Sequence, residues 1–575
     1  LTFAHIEEVT VNAGGGSDRV TIDDLTGTHV EKLTIDLESA GGSDDATDGD
    51  IVEFLGSDGP DTLRVERLTG PIPVTDLSQT PPLVSYVPQN AVVARETTTG
   101  SAVTILGGNP DRDRLILRGR GGDDDLAVVT SGGVRVHDLI AVTLDGGAGD
   151  DRLETFYGDT HVVGSDGDDV LVVTDPVSDD APAGPMPSMR LGSDRIVTTR
   201  GGGQPTIVSF AGVESLDVKL GSAASGNDVT VTGAPQGFTR LWGSGGDDRV
   251  TVRSLGGPLA IDGGGHGSSG DRVIADFSGN VNGLEGSICP MGIEGFGLTE
   301  RLYLSDIEAL DVKLGMGNDR IAIDGTEAVT TVTGAAGDDI VTVYGVDSPT
   351  FVYGGSAAGQ PAGLGDDDTV RLVVRGDANR WGASRFADLG LAVETLHVEN
   401  AGTAETHWRV EDDAVWVDRD AGRLKLVETL GAEWIVMTGS AAGADRLTVA
   451  DHAADPQQVA IDEESVTFEH GVEVLTQAGY VDDPSRARSV IVGGDGQAVY
   501  ALGADGQTSF DVYRRDGDTG ALVLEQSIGG RWVDAGILDL AEYGVDPDDA
   551  GGGVALDGGR GIIGMPQSDH YGSNG

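Results

Sequence analysis

Cysteine occurs once, at Cys289, so the chain closes no internal disulfide and must draw its stability from elsewhere. Aromatic residues make up only 5%, which leaves a core of Val, Ile and Leu. Lys and Arg together number 37 against 95 Asp and Glu, a formal charge of -58, so a nucleic-acid duplex or an anionic membrane surface is repelled. No apolar run approaches the roughly 18 residues that a membrane-spanning helix needs. Helical periodicity is nearly absent. The metalloprotease word HExxH, the nucleophile elbow GxSxG and the phosphate-binding P-loop are missing. The two GxGxxG words, at Gly265–Gly270 and Gly559–Gly564, do not open a helix after a strand, so nothing in them cradles a phosphate. These absences point away from an enzyme. The chain begins Leu-Thr-Phe-Ala-His, without an initiator Met or a signal peptide, and reads as cut from a longer polypeptide.

What is abundant is glycine, at 91 of 575 positions, and aspartate, at 69 of the 95 acids. Aspartate favours turns, local backbone hydrogen bonds and hard cations over helices. A chain this acidic either lives in high salt or neutralises part of its charge with bound cations. At roughly 150 residues per domain, its length suggests three or four folded units.

Short alternating strands bounded by Gly and Asp recur from Ile6 to about Val449, the pattern of a repetitive all-β protein. Val213-Glu-Ser-Leu-Asp-Val-Lys-Leu-Gly221 returns as Ile307-Glu-Ala-Leu-Asp-Val-Lys-Leu-Gly315, with weaker copies at Ile6, Val30 and Val393. Leu310, Val312 and Leu314 alternate with Asp311 and Lys313, so a half-buried strand is expected with the two charged residues facing water. A second word, Gly-x-Asp-x-aliphatic, starts at Gly16, Gly59, Gly122, Gly149, Gly167, Gly192, Gly246, Gly317, Gly337 and Gly443. Its spacing is that of solenoid turns: Asp124 to Asp151 is 27 residues and Asp151 to Asp169 is 18. Asp228 to Asp248 and Asp319 to Asp339 are 20 each.

Gly146-Gly-Ala-Gly149-Asp-Asp151-Arg-Leu153-Glu154 fits every position of GGxGxDxLx, and Gly164-Ser-Asp-Gly167-Asp-Asp169-Val-Leu171-Val172 fits with one Gly lost. In these words the chain resembles the hemolysin-type (RTX) calcium-binding repeats. That resemblance implies a parallel β-roll in which the aliphatic at position eight points inward and calcium sits between loops on successive turns. Carboxylates and backbone carbonyls would hold the ion. It assigns metal ligation to Asp151 and Asp169, with Gly147, Gly149 and Gly167 shaping the loops. The nonapeptides mostly stand singly, which resembles the repeat regions of very large bacterial surface proteins more than one long roll. Neighbouring acids that repel unless a cation lies between them add Asp150, Asp168, Asp247, Asp248, Asp338 and Asp339 as candidate ligands, with Asp366, Asp367 and Asp368 crowded in the same way, and the turn spacing adds Asp124, Asp228 and Asp319. An Asp in such a turn can equally close an Asx turn with no metal. Tandem copies favour calcium, and isolated ones such as Gly192-Ser-Asp194 the metal-free turn.

Four blocks are expected: Asp/Gly-rich repeats over 1–200, a second block of repeats over 201–381, a Trp-containing β domain over 382–482, and a last segment over 483–575. In the third, Trp408, Trp416 and Trp434 read as core packing rather than a sugar platform. In the last, Ser489-Val-Ile-Val-Gly-Gly-Asp495 through Tyr500 and Asp511-Val-Tyr-Arg-Arg-Asp516 through Leu522 resemble a blade of a lactonase-like β-propeller. About one and a half blades are present. Cys289 reads as a buried thiol. The fold class is therefore all-β: stacked β-solenoid or β-roll-like and β-sandwich-like repeat domains, with partial propeller blades at the C-terminal end.

The function these features suggest is structural or adhesive: a calcium-stabilised segment of a longer protein at the bacterial cell surface. Calcium is its cofactor, and copies of itself or other surface components are its partners. It has no nucleic-acid partner and no membrane-inserted part. A display or secretion arm for a propeller-type hydrolase, and an acidic halophilic surface protein without specific metal sites, are the alternatives.

Overall fold

The computed structural model describes residues 5–38 with short breaks, 49–68, the paired strands 72–76 and 83–87, 91–129, 135–175, 188–199, 203–221, 226–355 and 367–374. From residue 385 onward it describes chiefly strands and their pairing. The protein is all-β and solenoid-like, and among the described residues the helical content is a single 3-10 turn, Val136–Asp138. No helix among them is long and apolar enough to cross a membrane. The chain forms two compact units, residues 1–275 with 291–309, and residues 276–290 with 310–575.

In the first unit each coil lays one strand on one sheet, turns sharply through a Gly-Asp loop, and lays the next strand on a second sheet. Ala141–Ala148 pairs in parallel with Thr160–Asp166, while Arg152–Phe156, beyond the turn, pairs in parallel with Val170–Thr174. Parallel pairing follows because each coil repeats the direction of the last. The register stacks identical positions, so Leu63, Leu126, Leu153, Leu171 and Leu216 lie in one continuous column, each with no exposed surface. The position-eight aliphatics thus point inward. Full burial stabilises by roughly 1.5–3 kcal/mol per side chain, and the column is the reason few aromatics are needed. The parallel ladder runs past residue 200 without a break, through Ser215–Lys219, Thr239–Trp242 and Leu259–Asp262. Antiparallel excursions interrupt the coils: Ala91–Glu96 pairs with Thr62–Leu68 and with Ala102–Leu106, and Arg195–Thr199 pairs with Ser188–Leu191 and with Thr206–Ala211, with Asp194 at the tip of the turn before it.

In the second unit Arg320–Asp324, Ile340–Gly345, Thr369–Val374, Val393–Asn400 and Ala432–Thr438 pair in parallel. Leu310, Val312 and Leu314 are buried as the alternation requires, and Lys313 is exposed. Asp311, expected to face water, is instead only 6% exposed and has a partner, because flanking strands cover acids as well as apolar groups on a sheet face. The Trp-containing region turns antiparallel: His407–Glu411 pairs with Ala414–Arg419, and that strand with Gly422–Glu428. Trp408 is buried in it. Ala487–Val492, Ala498–Gly503, Ser509–Arg515 and Leu522–Gly529 form a four-stranded antiparallel meander. Cys289 ends the strand Glu285–Cys289 and is half-buried rather than buried.

Candidate metal site in the coil turns

The turn is shaped by two positions of positive φ. Position four is glycine, with φ of 102° at Gly122, 131° at Gly149, 141° at Gly167 and 118° at Gly337. A Cβ on Gly149 would collide with the Gly122 carbonyl of the coil before, and one on Gly167 with the Gly149 carbonyl, so glycine stacks on glycine. Position two also takes positive φ, in Gly147 at 111° and in three residues that have side chains, Arg120 at 81°, Ser165 at 94° and Ala335 at 85°.

This backbone aims the position-six carboxylates along the stack, where they form an inner ladder. Asp124 donates its N–H to Asp151 Oδ1 at 2.8 Å, and Asp151 donates to Asp169 Oδ1 at 2.9 Å. Asp61 joins the near end by donating to Asp124 Oδ1 at 2.7 Å, and Asp169 joins the far end by donating to Glu214 Oε2 at 2.9 Å. A second run takes Asp18 to Asp50 to Asp113, and a third takes Asn227 to Asp248 to Asp271 and then to Glu308 Oε2. The second unit repeats it from Leu284 to Asp319 to Asp339 to Asp368.

Position-five acids form an outer ladder of opposite polarity. Asp150 donates to Asp123 Oδ1 at 3.0 Å and Asp168 to Asp150 Oδ1 at 2.9 Å. In the second unit Asp338 donates to Asn318 Oδ1 and Asp367 to Asp338 Oδ1. Asp247 accepts from the Gly270 N–H at 2.9 Å. The paired acids are therefore held apart as inner and outer members, and Asp123, Asp124, Asp150, Asp151, Asp338 and Asp339 each accept an N–H from a neighbouring coil. Neither the calcium reading nor the Asx-turn reading of the sequence anticipated this use.

In several inner rungs one oxygen is left over, whereas Oδ2 of Asp61 and of Asp113 accepts from Ser57 and from the Asn109 N–H. Oδ2 of Asp124, Asp151, Asp169 and Asp271 is buried with no hydrogen-bond partner, in residues 0–2% exposed. Near Asp124, Asp169 and Asp271 it shares its surroundings with a backbone carbonyl oxygen. A Cβ built on Gly119 would collide with both Asp124 Oδ2 and the Gly146 carbonyl oxygen, and one on Gly164 with Asp169 Oδ2 and the Gly212 carbonyl. Burial, reinforced by neighbouring acids, pushes the Asp124 carboxyl up to about 7 and those of Asp169 and Asp271 up to about 6. Asp151, Asp248 and Asp319 are raised too, chiefly by burial.

Asn227 supplies the contrast. It occupies an inner rung, and its Nδ2 donates to the Gly221 carbonyl at 3.0 Å, so an amide brings the donor that a carboxylate lacks. Asp228, the expected ligand, instead opens the strand Asp228–Val231. Asp194 stands outside the ladders, exposed and paired with Arg195 at 2.7 Å. Asp445, in the copy at Gly443, lies outside the described residues. Sequence reasoning marked the turn of Asp61 through the word at Gly59 without choosing it as a ligand, and missed Asp113, Asp271, Glu214 and Glu308. Their shared signal is an acid two residues before an inward aliphatic, as in Glu214-Ser-Leu216 and Asp169-Val-Leu171.

Among the described residues no three His, Cys, Asp or Glu side chains gather as a metal cluster. A cation here would take one or two inner carboxylates and complete its shell with turn carbonyls. That is an all-oxygen set, and it fits calcium in donor chemistry. No protein-family model matches the chain, and no curated protein matches it.

Proposed function

We propose that the chain is a calcium-stabilised structural or adhesive segment of an extracellular, cell-surface protein. The observation that carries this reading is the orphaned inner oxygen: a buried carboxylate facing a carbonyl needs a cation or a proton between them. Asp124, Asp151, Asp169 and Asp271 would hold the ions with the turn carbonyls. Bound calcium would supply positive charge between coils, offsetting repulsion in a chain of charge -58. Millimolar calcium, matched to modules of this donor type, is found outside cells, and a fold without disulfides benefits most from such ions. Glu214 and Glu308, ending their ladders, would let neighbouring coils share load along the stack.

Thermal unfolding with millimolar calcium against chelator tests the reading. A midpoint several degrees higher with calcium is expected; equal midpoints in the two would overturn it, and full rescue by molar KCl alone would favour the acidic, metal-free alternative. The antiparallel meander from Ala487 to Gly529 favours a second reading, in which the coils display a propeller-type hydrolase. Lactone turnover by a chain extended past Gly575 would support that one.

A further inference from the structure

The outer face of the first unit carries an aromatic platform that the ladders do not use. Along Thr239–Trp242 the inward residues are Thr239 and Leu241, which leaves Arg240 and Trp242 outside, with Trp242 40% exposed. The parallel register places Arg240 beside Ala260 and Ala260 beside Tyr303, and Trp242 beside Asp262. Tyr303 is 37% exposed. Its ring centroid lies 6.3 Å from that of Phe238 at an interplanar angle of 34°. The Arg240 guanidinium stands 4.7 Å above the Phe238 ring, and that of Arg301 stands 5.8 Å from the Tyr303 ring. Each arginine is also paired with an acid, Arg240 with Asp217 at 3.4 Å and Arg301 with Glu294.

We propose that this platform binds a neutral polysaccharide of pyranose rings. The faces of Trp242 and Tyr303 offer flat apolar surfaces to the C–H faces of sugar rings. They sit two strands and two residues apart, roughly 12 Å from strand spacing and rise, which spans linked rings rather than a single sugar. Arg240 and Asp262 place a fork of donors and a carboxylate acceptor beside the rings, the pair that vicinal hydroxyls require. Charge selects the partner. The platform sets Arg240 and Arg301 against Asp217, Glu294 and Asp262 within a chain of -58, so an uncharged polyol approaches freely, while polyanions and a second copy of the chain are repelled. A handful of side chains also falls short of the roughly 800 Å² per partner that a stable protein interface buries.

Affinity electrophoresis of the full chain in calcium buffer, through gels holding neutral β- or α-linked glucans, chitin-type polymers or a polyuronate, tests the proposal. Retardation by at least one neutral polymer is expected, with Trp242→Ala and Tyr303→Ala each weakening it about tenfold. Their melting midpoints should be unchanged, and Ile207→Ala, at an exposed apolar site elsewhere, should leave retardation intact. No retardation by any neutral polymer overturns the proposal. So does retardation that both substitutions leave unchanged, equal or stronger retention by the polyuronate, or self-association that Trp242→Ala abolishes. The calcium reading is judged separately, from melting midpoints alone.

Discussion

Arg120, Ser165 and Ala335 hold φ between 81° and 94°, where a Cβ crowds its own backbone at a cost of about 1–2 kcal/mol. The neighbouring coil's hydrogen bonds over-determine the turn and hold them there. Ser165→Gly and Ala335→Gly should therefore each stabilise the fold by about 1 kcal/mol, read by denaturant midpoint at unchanged slope. The inner rung makes a sharper claim. Asp169→Asn keeps the Oδ1 acceptor for the Asp151 N–H and places an amide donor where Oδ2 now faces the Gly212 carbonyl, as Asn227 does for Gly221. In chelator the variant should melt above the wild type, and its gain from calcium should shrink. Asp169→Ala should lose about 1–3 kcal/mol, because the Asp151 N–H is left buried and unpaired. Asp194→Ala should change nothing measurable in either buffer, since that residue is exposed.

A ladder of such rungs is an element in its own right, with a direction and an end. Each N–H points toward the next carboxylate, so the run leaves one donor over wherever the tight turn stops. While the run ending at Asp113 is closed by the Asn109 carbonyl, glutamate closes two of the described runs, Glu214 after Asp169 and Glu308 after Asp271. Those turns lack the glycine loop, and the longer side chain reaches back over the difference. The two repeated words of the sequence, Gly-x-Asp-x-aliphatic and Val/Ile-Glu-x-Leu, are thus the body and the terminus of one device. Glu214→Gln should be tolerated, because its amide oxygen still accepts from Asp169, whereas Glu214→Ala should cost about 1–3 kcal/mol and loosen the coils nearest it first. Amide hydrogen exchange at Asp169 and Asp151 measures this; protection unchanged in the alanine variant would refute the capping role.

Summed over the molecule, the raised carboxyls set a pH dependence. Asp124 at about 7 and Asp169 and Asp271 at about 6 bind protons in the folded state where unfolded aspartates, ordinarily near 3.9, are still ionised. In chelator, stability should rise as pH falls from about 8 toward 5 and level off near the unfolded value. His137 opposes this: desolvation pulls it down to about 4, so it costs stability as pH drops below its ordinary 6.5. His397 is lowered by burial as well, but with Asp151, Asp248 and Asp319 also raised, six carboxyls against two imidazoles leave the net slope favouring acid. Calcium should reverse the order, because protons compete for the same oxygens. Melting curves at pH 8 and 5.5, each with chelator and with calcium, check both signs; a chelated protein more stable at pH 8 would show that the inner carboxyls are not the controlling groups.

Composition and period alone settled that the chain is all-β, aliphatic-cored and repetitive, because alternation of two and glycine-aspartate punctuation leave a strand no other way to bury Leu153 or Leu171. They also located the turns, at Asp124, Asp151, Asp169, Asp248, Asp319 and Asp339. What each acid does there was decided only by stacking. Whether an aspartate accepts from its own turn, from the coil before or from the coil after depends on register between segments 18 to 63 residues apart, and a local word does not encode that register. For the same reason Asp271, Glu214 and Asn227 stayed unread beside their better-marked neighbours, and Trp242 and Tyr303 met on one face only once parallel pairing set three distant strands side by side.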